Sequence, residues 1–179
     1  MSKVHEYHCQ LDWNGSTAQG YEHYDRGHRA LCPPSPARLG LTSDPAFLGD
    51  PERLNPEQLL LAAASSCQML SFLALAARAR IDVVSYSDDA EAIMPEDDKP
   101  ARITKITLRP RITVNGEDED EDEDERVRRC VARAHQTCFI ANSLNSEIVI
   151  NPRIGFTTPD GDGSTVAGAS TNPKCLNEE

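Results

Sequence analysis

Residues 55–80 read NPEQLLLAAASSCQMLSFLALAARAR, and no other stretch of the chain is as apolar or as sharply bounded. Asn55 is placed to cap a helix, Pro56 to occupy its first position, and Gln58 to reach back as in a capping box. Arg78 and Arg80 suit the negative end. The spacing predicts a helix from Pro56 to about Arg80, roughly 37 Å long at 1.5 Å per residue. Residues 59–77 carry no charge, which meets the length criterion for a membrane span. Ser65, Ser66, Cys67, Gln68 and Ser71 place polar groups at its middle, where lipid penalises them. The stretch therefore reads as the central helix of a soluble core, which can be apolar all round.

Working outward, Tyr7, Cys9, Leu11 and Trp13 alternate with polar residues and predict a half-buried strand. Asn14-Gly15 signals a hairpin turn, with residues 21–31 as the returning strand. Residues 32–49, rich in Pro and Gly, read as a long loop. Beyond the helix, residues 81–94 and 103–114 predict two strands, with Pro110 implying an edge or a bulge. A second helix is expected over residues 125–143, where Val127, Val131, Ala134, Cys138 and Ala141 form one apolar face. Residues 147–156 give a last strand. The order is β-β-α-β-β-α-β, an α+β fold with the long helix packed against antiparallel sheets. Residues 1–156 make one domain, and residues 157–179 have the composition of a disordered tail.

The chain has 179 residues and a formal net charge of −11. Nine consecutive acidic residues, 117–125, account for most of that charge; the remainder carries 20 acidic against 18 basic groups. The run reads as a solvated loop leading into the second helix, where acidic residues suit the dipole. The nearly neutral body offers no basic field for nucleic acid. Six cysteines occur without a CxxC pair, and His5, His8 and His23 show no ligand spacing, so neither metal nor cofactor is implied. No secretory signal opens the chain, and reduced thiols in the cytoplasm are expected. Cys9 reads as a strand residue of the core, Cys130 as a packed residue, and Cys32 and Cys175 as incidental free thiols.

Two cysteines are candidates for chemistry. Cys67 lies at the middle of the apolar helix and Cys138 on the apolar face of the second. Each also fits the ordinary role of free cysteine, a small buried hydrophobe made inert by burial. His135, one turn before Cys138, could tune that thiol, although no carboxylate partner is evident to orient it. His28, beside Arg26, could line a site or lie at a strand end. A Cys-His acyl-transfer hydrolase would need a base and an oxyanion hole that the sequence does not identify.

Asn55-Pro56-Glu57-Gln58-Leu59-Leu60, followed by Ala62-Ala63-Ala64-Ser65-Ser66-Cys67, resembles the reactive-cysteine helix of the OsmC/Ohr family of thiol peroxidases. Ala134-His135-Gln136-Thr137-Cys138 with Asn142-Ser143, the Trp13-x-Gly15 hairpin and Ile103-Thr104-Lys105-Ile106 extend the likeness over about residues 5–152. The resemblance implies an intertwined homodimer with sites at the subunit interface, no cofactor, organic hydroperoxide as substrate, and a dithiol of lipoyl or other type as reductant. It implies Cys67 as the peroxide-attacking cysteine, Cys138 as the resolving cysteine, and Glu57 as the carboxylate that orients an arginine. Arg26 stands where one branch of the family carries that arginine, and Arg29, Arg38 and Arg53 are the other candidates. Residues 45–50, where the second branch has it, contain none. Phe139 replaces a proline frequent in the family. A non-catalytic binding or sensor protein for hydrophobic ligands, with the same fold, is the alternative.

Glu57 and Cys67 are ten residues apart, or roughly 15 Å along a continuous helix. They can share a site only if two copies of the helix cross antiparallel near Ala62 to Ala64, where small side chains permit close approach. A twofold dimer is therefore expected, each site built from both chains.

Overall fold

The computed structural model describes residues 3–116 and 121–157. The central helix, α1, runs over Pro56–Arg78. Asn55 Oδ1 accepts the Gln58 N–H at 2.8 Å, and Gln58 Oε1 accepts the Asn55 N–H at 3.1 Å, completing the capping box. Arg80 lies beyond the helix in the left-handed region, φ 59°, where the chain turns away.

Before α1, β1 (Gln10–Asp12), β2 (His28–Leu31) and β3 (Arg38–Leu41) form an antiparallel sheet in that order. The expected loop over 32–49 therefore contains a strand and a 3-10 turn, Pro45–Phe47. β1 is shorter than the alternation of residues 7–13 suggests, and its three residues are exposed. Asn14-Gly15 does not close a tight hairpin, since β1 and β2 are joined through residues 13–27.

After α1 come β4 (Val83–Asp88), β5 (Glu91–Ile93), β6 (Lys105–Leu108) and β7 (Pro110–Asn115). The second helix, α2 (Glu121–Thr137), precedes β8 (Glu147–Ile150) and β9 (Arg153–Thr157). Each predicted long strand is thus broken in two. The halves join different sheets: β4-β7-β9 and β5-β6-β8. β7 with β9 and β6 with β8 pair in parallel, so both sheets are mixed rather than antiparallel. The crease is held by Asp88, whose carboxylate accepts the Arg109 N–H at 2.7 Å and the Ser65 hydroxyl of α1 at 2.6 Å. Pro110 is neither at an edge nor at a bulge. It is the first residue of the central strand β7, where a missing N–H is tolerated.

α1 serves both sheets. Its C-terminal half places Phe72 and Ala76 against Ile112 and Val114 of β7 and Val127, Val131 and Ala134 of α2. Its N-terminal half sets Ala64 against Ile106 and Leu108 of β6. Between the two clusters, buried Gln68 donates from Nε2 to the Val131 carbonyl at 3.1 Å, tying α1 to α2. α2 begins within the acidic run. Asp124 and Glu125 pair with Arg128 and Arg129 one turn on, the favourable order along a helix. Residues 117–120 of that run, and the expected tail from residue 158, lie outside the described residues.

α2 stops at Thr137, short of the expected end at 143. Asn142 Nδ2 captures the Gln136 and Cys138 carbonyls, and the Ser143 hydroxyl captures that of Phe139, offering the backbone an alternative to further helix. One face of α1 carries Ala62, Ala63, Ser66, Leu70 and Ala74 to the surface of this chain. α1 is the one helix among the described residues long and apolar enough to cross a membrane, and 22% of its most apolar window is buried.

Candidate active site

Two elements bring Cys67 and Cys138 together. α1 delivers Cys67 from its midpoint, between the two core clusters. The end of α2 leaves Cys138 in a turn, where it is 1% exposed and its sulfur accepts the Ala141 N–H at 3.4 Å. Both are free thiols. The Phe139 and Ile140 N–H groups of the same turn, the Cys138 thiol and the Ser71 hydroxyl lie near enough to the Cys67 sulfur to lower its pKa.

Burial pushes the Cys67 thiol up, but these four donors together outweigh it, so its pKa lies below the ordinary thiol value. Cys138 moves the other way. Burial raises it most, and its donation to Cys67 raises it further, against the Ala141 N–H that lowers it. Of the pair, Cys67 is therefore the thiol that gives up its proton first. A thiolate is the nucleophilic form of cysteine, so the arrangement makes Cys67 the readier nucleophile of the two. The donors that stabilise the charge are neutral.

Arg26 and Glu57 lie elsewhere in the chain. They line a cavity of about 560 Å³ together with Trp13, Asp44, Phe47 and others, and Cys67 does not reach it. Glu57 sits in the first turn of the same unbroken α1 that carries Cys67 at its middle. Arg26 is 9% exposed. Its guanidinium stacks 3.9 Å from the Tyr24 ring centroid and 4.8 Å from that of Tyr21, and it donates to the carbonyls of both residues. Its Nε is buried without a partner among the described residues. Of the other arginines, Arg53 pairs with Asp50 at 3.2 Å, and Arg29 and Arg38 lie exposed on β2 and β3. His28 lines the Arg26 cavity, its Nδ1 2.9 Å from the Arg26 carbonyl. His135 has a buried Nδ1 with no partner among the described residues.

Several contributors escape a sequence reading. Ser71 could have been found by its i,i+4 spacing from Cys67. Tyr21 and Tyr24, flanking Arg26, are a composition signal for a held guanidinium. Asp44 and the Phe139 and Ile140 amides carry no signal, because they depend on where α2 ends and how the 3-10 turn folds. No group of three or more His, Cys, Asp or Glu able to hold a metal occurs among the described residues.

A family model described as OsmC-like protein matches residues 49–153. The chain belongs to the OsmC-like family. An OsmC-like protein of unknown function from Vibrio cholerae superposes with a TM-score of 0.74 at 28% identity, over 84% of this chain and 100% of that one. An organic hydroperoxide resistance protein from Elizabethkingia anophelis, solved with thiocyanate bound, gives 0.64 at 14% identity, over 88% and 100%. An organic hydroperoxide resistance protein OsmC from Legionella pneumophila gives 0.59 at 16%, over 86% and 99%. No curated protein matches the sequence. Among the residues of this OsmC-like chain, Cys67, Cys138 and Glu57 fall within the matched span, and Arg26 lies before it.

Proposed function

We propose that this OsmC-like protein is a cytoplasmic, thiol-dependent peroxidase that reduces organic hydroperoxides to alcohols. The observation that carries the reading is the Cys67–Cys138 pair: two thiols remote in sequence, brought close together, with pKa values pushed in opposite directions. The family, and the names of its hydroperoxide-resistance members from Elizabethkingia and Legionella, support the same reading.

The Cys67 thiolate attacks one peroxide oxygen and breaks the O–O bond. The alkoxide leaves and takes a proton as the alcohol, and Cys67 becomes a sulfenic acid. Cys138 then condenses with it, releasing water and forming a disulfide that shields Cys67 from irreversible oxidation. A dithiol of lipoyl or other type restores both thiols by exchange. Exposed Leu70 and Phe139 beside this pair favour alkyl or lipid peroxides over hydrogen peroxide.

A cation over Cys67 would complete the site, and within one chain Arg26 and Glu57 stand apart from it. A homodimer reconciles the two half-sites. Crossing two α1 helices near Ala62 and Ala63 would bury the exposed small-residue face and carry one chain's Glu57 toward the other's Cys67. That cover is also a reason to read α1 as an interface and not as a membrane span, since Ser65 and Gln68 are already committed to Asp88 and Val131.

The separation of Arg26 from Cys67 is also the observation that favours the alternative, an OsmC-like binding or sensor protein for hydrophobic ligands. Stopped-flow oxidation of the reduced protein by cumene hydroperoxide and by hydrogen peroxide separates them. Rapid oxidation, faster with the organic peroxide and lost in Cys67→Ser, is expected for the enzyme. Slow oxidation that Cys67→Ser leaves unchanged would establish the binding protein instead.

A further inference from the structure

Cys9 and Cys32 face each other outside the site described above. Cys9 immediately precedes β1 and Cys32 immediately follows β2, whose register pairs Gln10 with Leu31. The next pair of opposed residues is therefore Cys9 and Cys32. Their sulfurs are 3.4 Å apart, Cys32 donating to Cys9, and both residues are exposed free thiols. They open into a groove walled by Tyr7, His8, Pro33 and Pro34. An expected core residue and an expected incidental thiol are thus a solvent-facing pair.

We propose that Cys9 and Cys32 form a second, reversible dithiol–disulfide centre, independent of Cys67 and Cys138, that is oxidised by small soluble disulfides of the glutathione disulfide class. The disulfide bond length is about 2.05 Å, so closure asks the sulfurs to approach by about 1.4 Å, within reach of a side-chain rotation at directly opposed strand positions. In the first step the Cys9 or Cys32 thiolate attacks one sulfur of the small disulfide, forming a mixed disulfide and releasing one thiolate. The second protein thiol then attacks the protein sulfur of that mixed disulfide and expels the other small thiol. The protein gives up two electrons and two protons, and the small disulfide becomes two thiols. Exposure admits the reagent, and the standing sulfur–sulfur contact makes the second step intramolecular and fast.

The bond would tie a strand of three exposed residues to its neighbour. Leu11, Asp12 and Trp13, just beyond Cys9, form one wall of the cavity that holds Arg26 and Glu57. Oxidation at Cys9 and Cys32 therefore fixes that wall, and reduction frees it.

The test uses the full-length chain carrying Cys67→Ser and Cys138→Ser, so that the other pair is silent and peroxidase activity plays no part. The reduced protein is treated with glutathione disulfide, quenched by alkylation, and digested with trypsin. The expected result is no glutathionyl adduct on Cys9 or Cys32, and a mass for their joined peptides about 2 Da below the sum of the two reduced ones. A cross-link should join the peptide ending at Arg26 to the one ending at Arg38, and hydrogen exchange should slow at Gln10 to Asp12. Adding Cys32→Ser should convert the cross-link into a stable glutathionyl adduct on Cys9. Stable adducts on Cys9 and Cys32 without a cross-link, or two thiols that remain fully alkylatable, would overturn the proposal.

Discussion

Asn55 couples the start of α1 to the wall of the Arg26 cavity, and its removal has two separable costs. Its side chain is 4% exposed. Oδ1 caps the helix through the Gln58 N–H, and Nδ2 donates to Asp44 Oδ2 at 3.1 Å. Loss of an N-cap costs about 1 kcal/mol. Loss of a hydrogen bond to a half-exposed carboxylate costs about 1 kcal/mol more, below the range for a buried one. Asn55→Ala should therefore destabilise the protein by about 2 kcal/mol, a fall in Tm of about 4–8 °C for a chain of this size. Asn55→Ser keeps an N-cap acceptor but cannot reach Asp44, so about half that fall is expected. Calorimetry at one fixed protein concentration measures both, since an associating protein's Tm depends on concentration. A Tm for Asn55→Ala within about one degree of wild type would refute the reasoning, because neither contact would then contribute.

Asp88→Ala removes two charge-assisted bonds at the sheet crease and should cost about 2 kcal/mol, while Ser65→Ala, which removes one, should cost about 1 kcal/mol; urea unfolding checks the ratio. Alkylation of reduced protein against pH should show Cys67 reacting with a midpoint below that of an ordinary thiol and Cys138 above it, and Ser71→Ala should move the Cys67 midpoint upward. Because the folded pKa of Cys67 lies below its unfolded value, its thiolate contributes stability above the unfolded pKa that is lost as pH falls through the folded one. Mixing inactive Cys67→Ser chains with inactive Arg26→Ala/Glu57→Ala chains and allowing exchange should restore about a quarter of wild-type peroxidase activity, because half the dimers then hold one complete site of two. No recovery from hybrids shown to have formed would place the whole site within one chain.

α1 was legible because its signals are local: Asn55, Pro56 and Gln58 act within one turn, and the apolar run between them and Arg78 admits few other readings. The Cys67–Cys138 pairing was legible only through the family motif around each residue, since periodicity alone also accommodates two inert core thiols. The crease was not legible. Strand alternation continues through Asp88 to Ala92 and through Leu108 to Ile112, and only the tertiary contacts of Asp88 and Arg109 divide those runs between sheets. β3 was hidden for a similar reason. Gly40 and nearby Pro33, Pro34 and Pro36 suggest a loop, and what makes residues 38–41 a strand is a β2 neighbour. The end of α2 depends on competition for carbonyls by Asn142 and Ser143, which helix propensity does not register. The alternation at residues 7–13 suggests that Cys9 is buried, whereas it lies exposed just before β1, beside Cys32.

The proposed reaction begins with oxidation of Cys67 by an organic hydroperoxide and ends with its capture by Cys138. One equivalent of cumene hydroperoxide added to the reduced protein, followed by alkylation and peptide mass mapping, measures this directly. A Cys67–Cys138 disulfide is expected, and a Cys67 sulfenic acid that accumulates in Cys138→Ser. Recovery of Cys67 as an unmodified, alkylated thiol while the peroxide persists would contradict it.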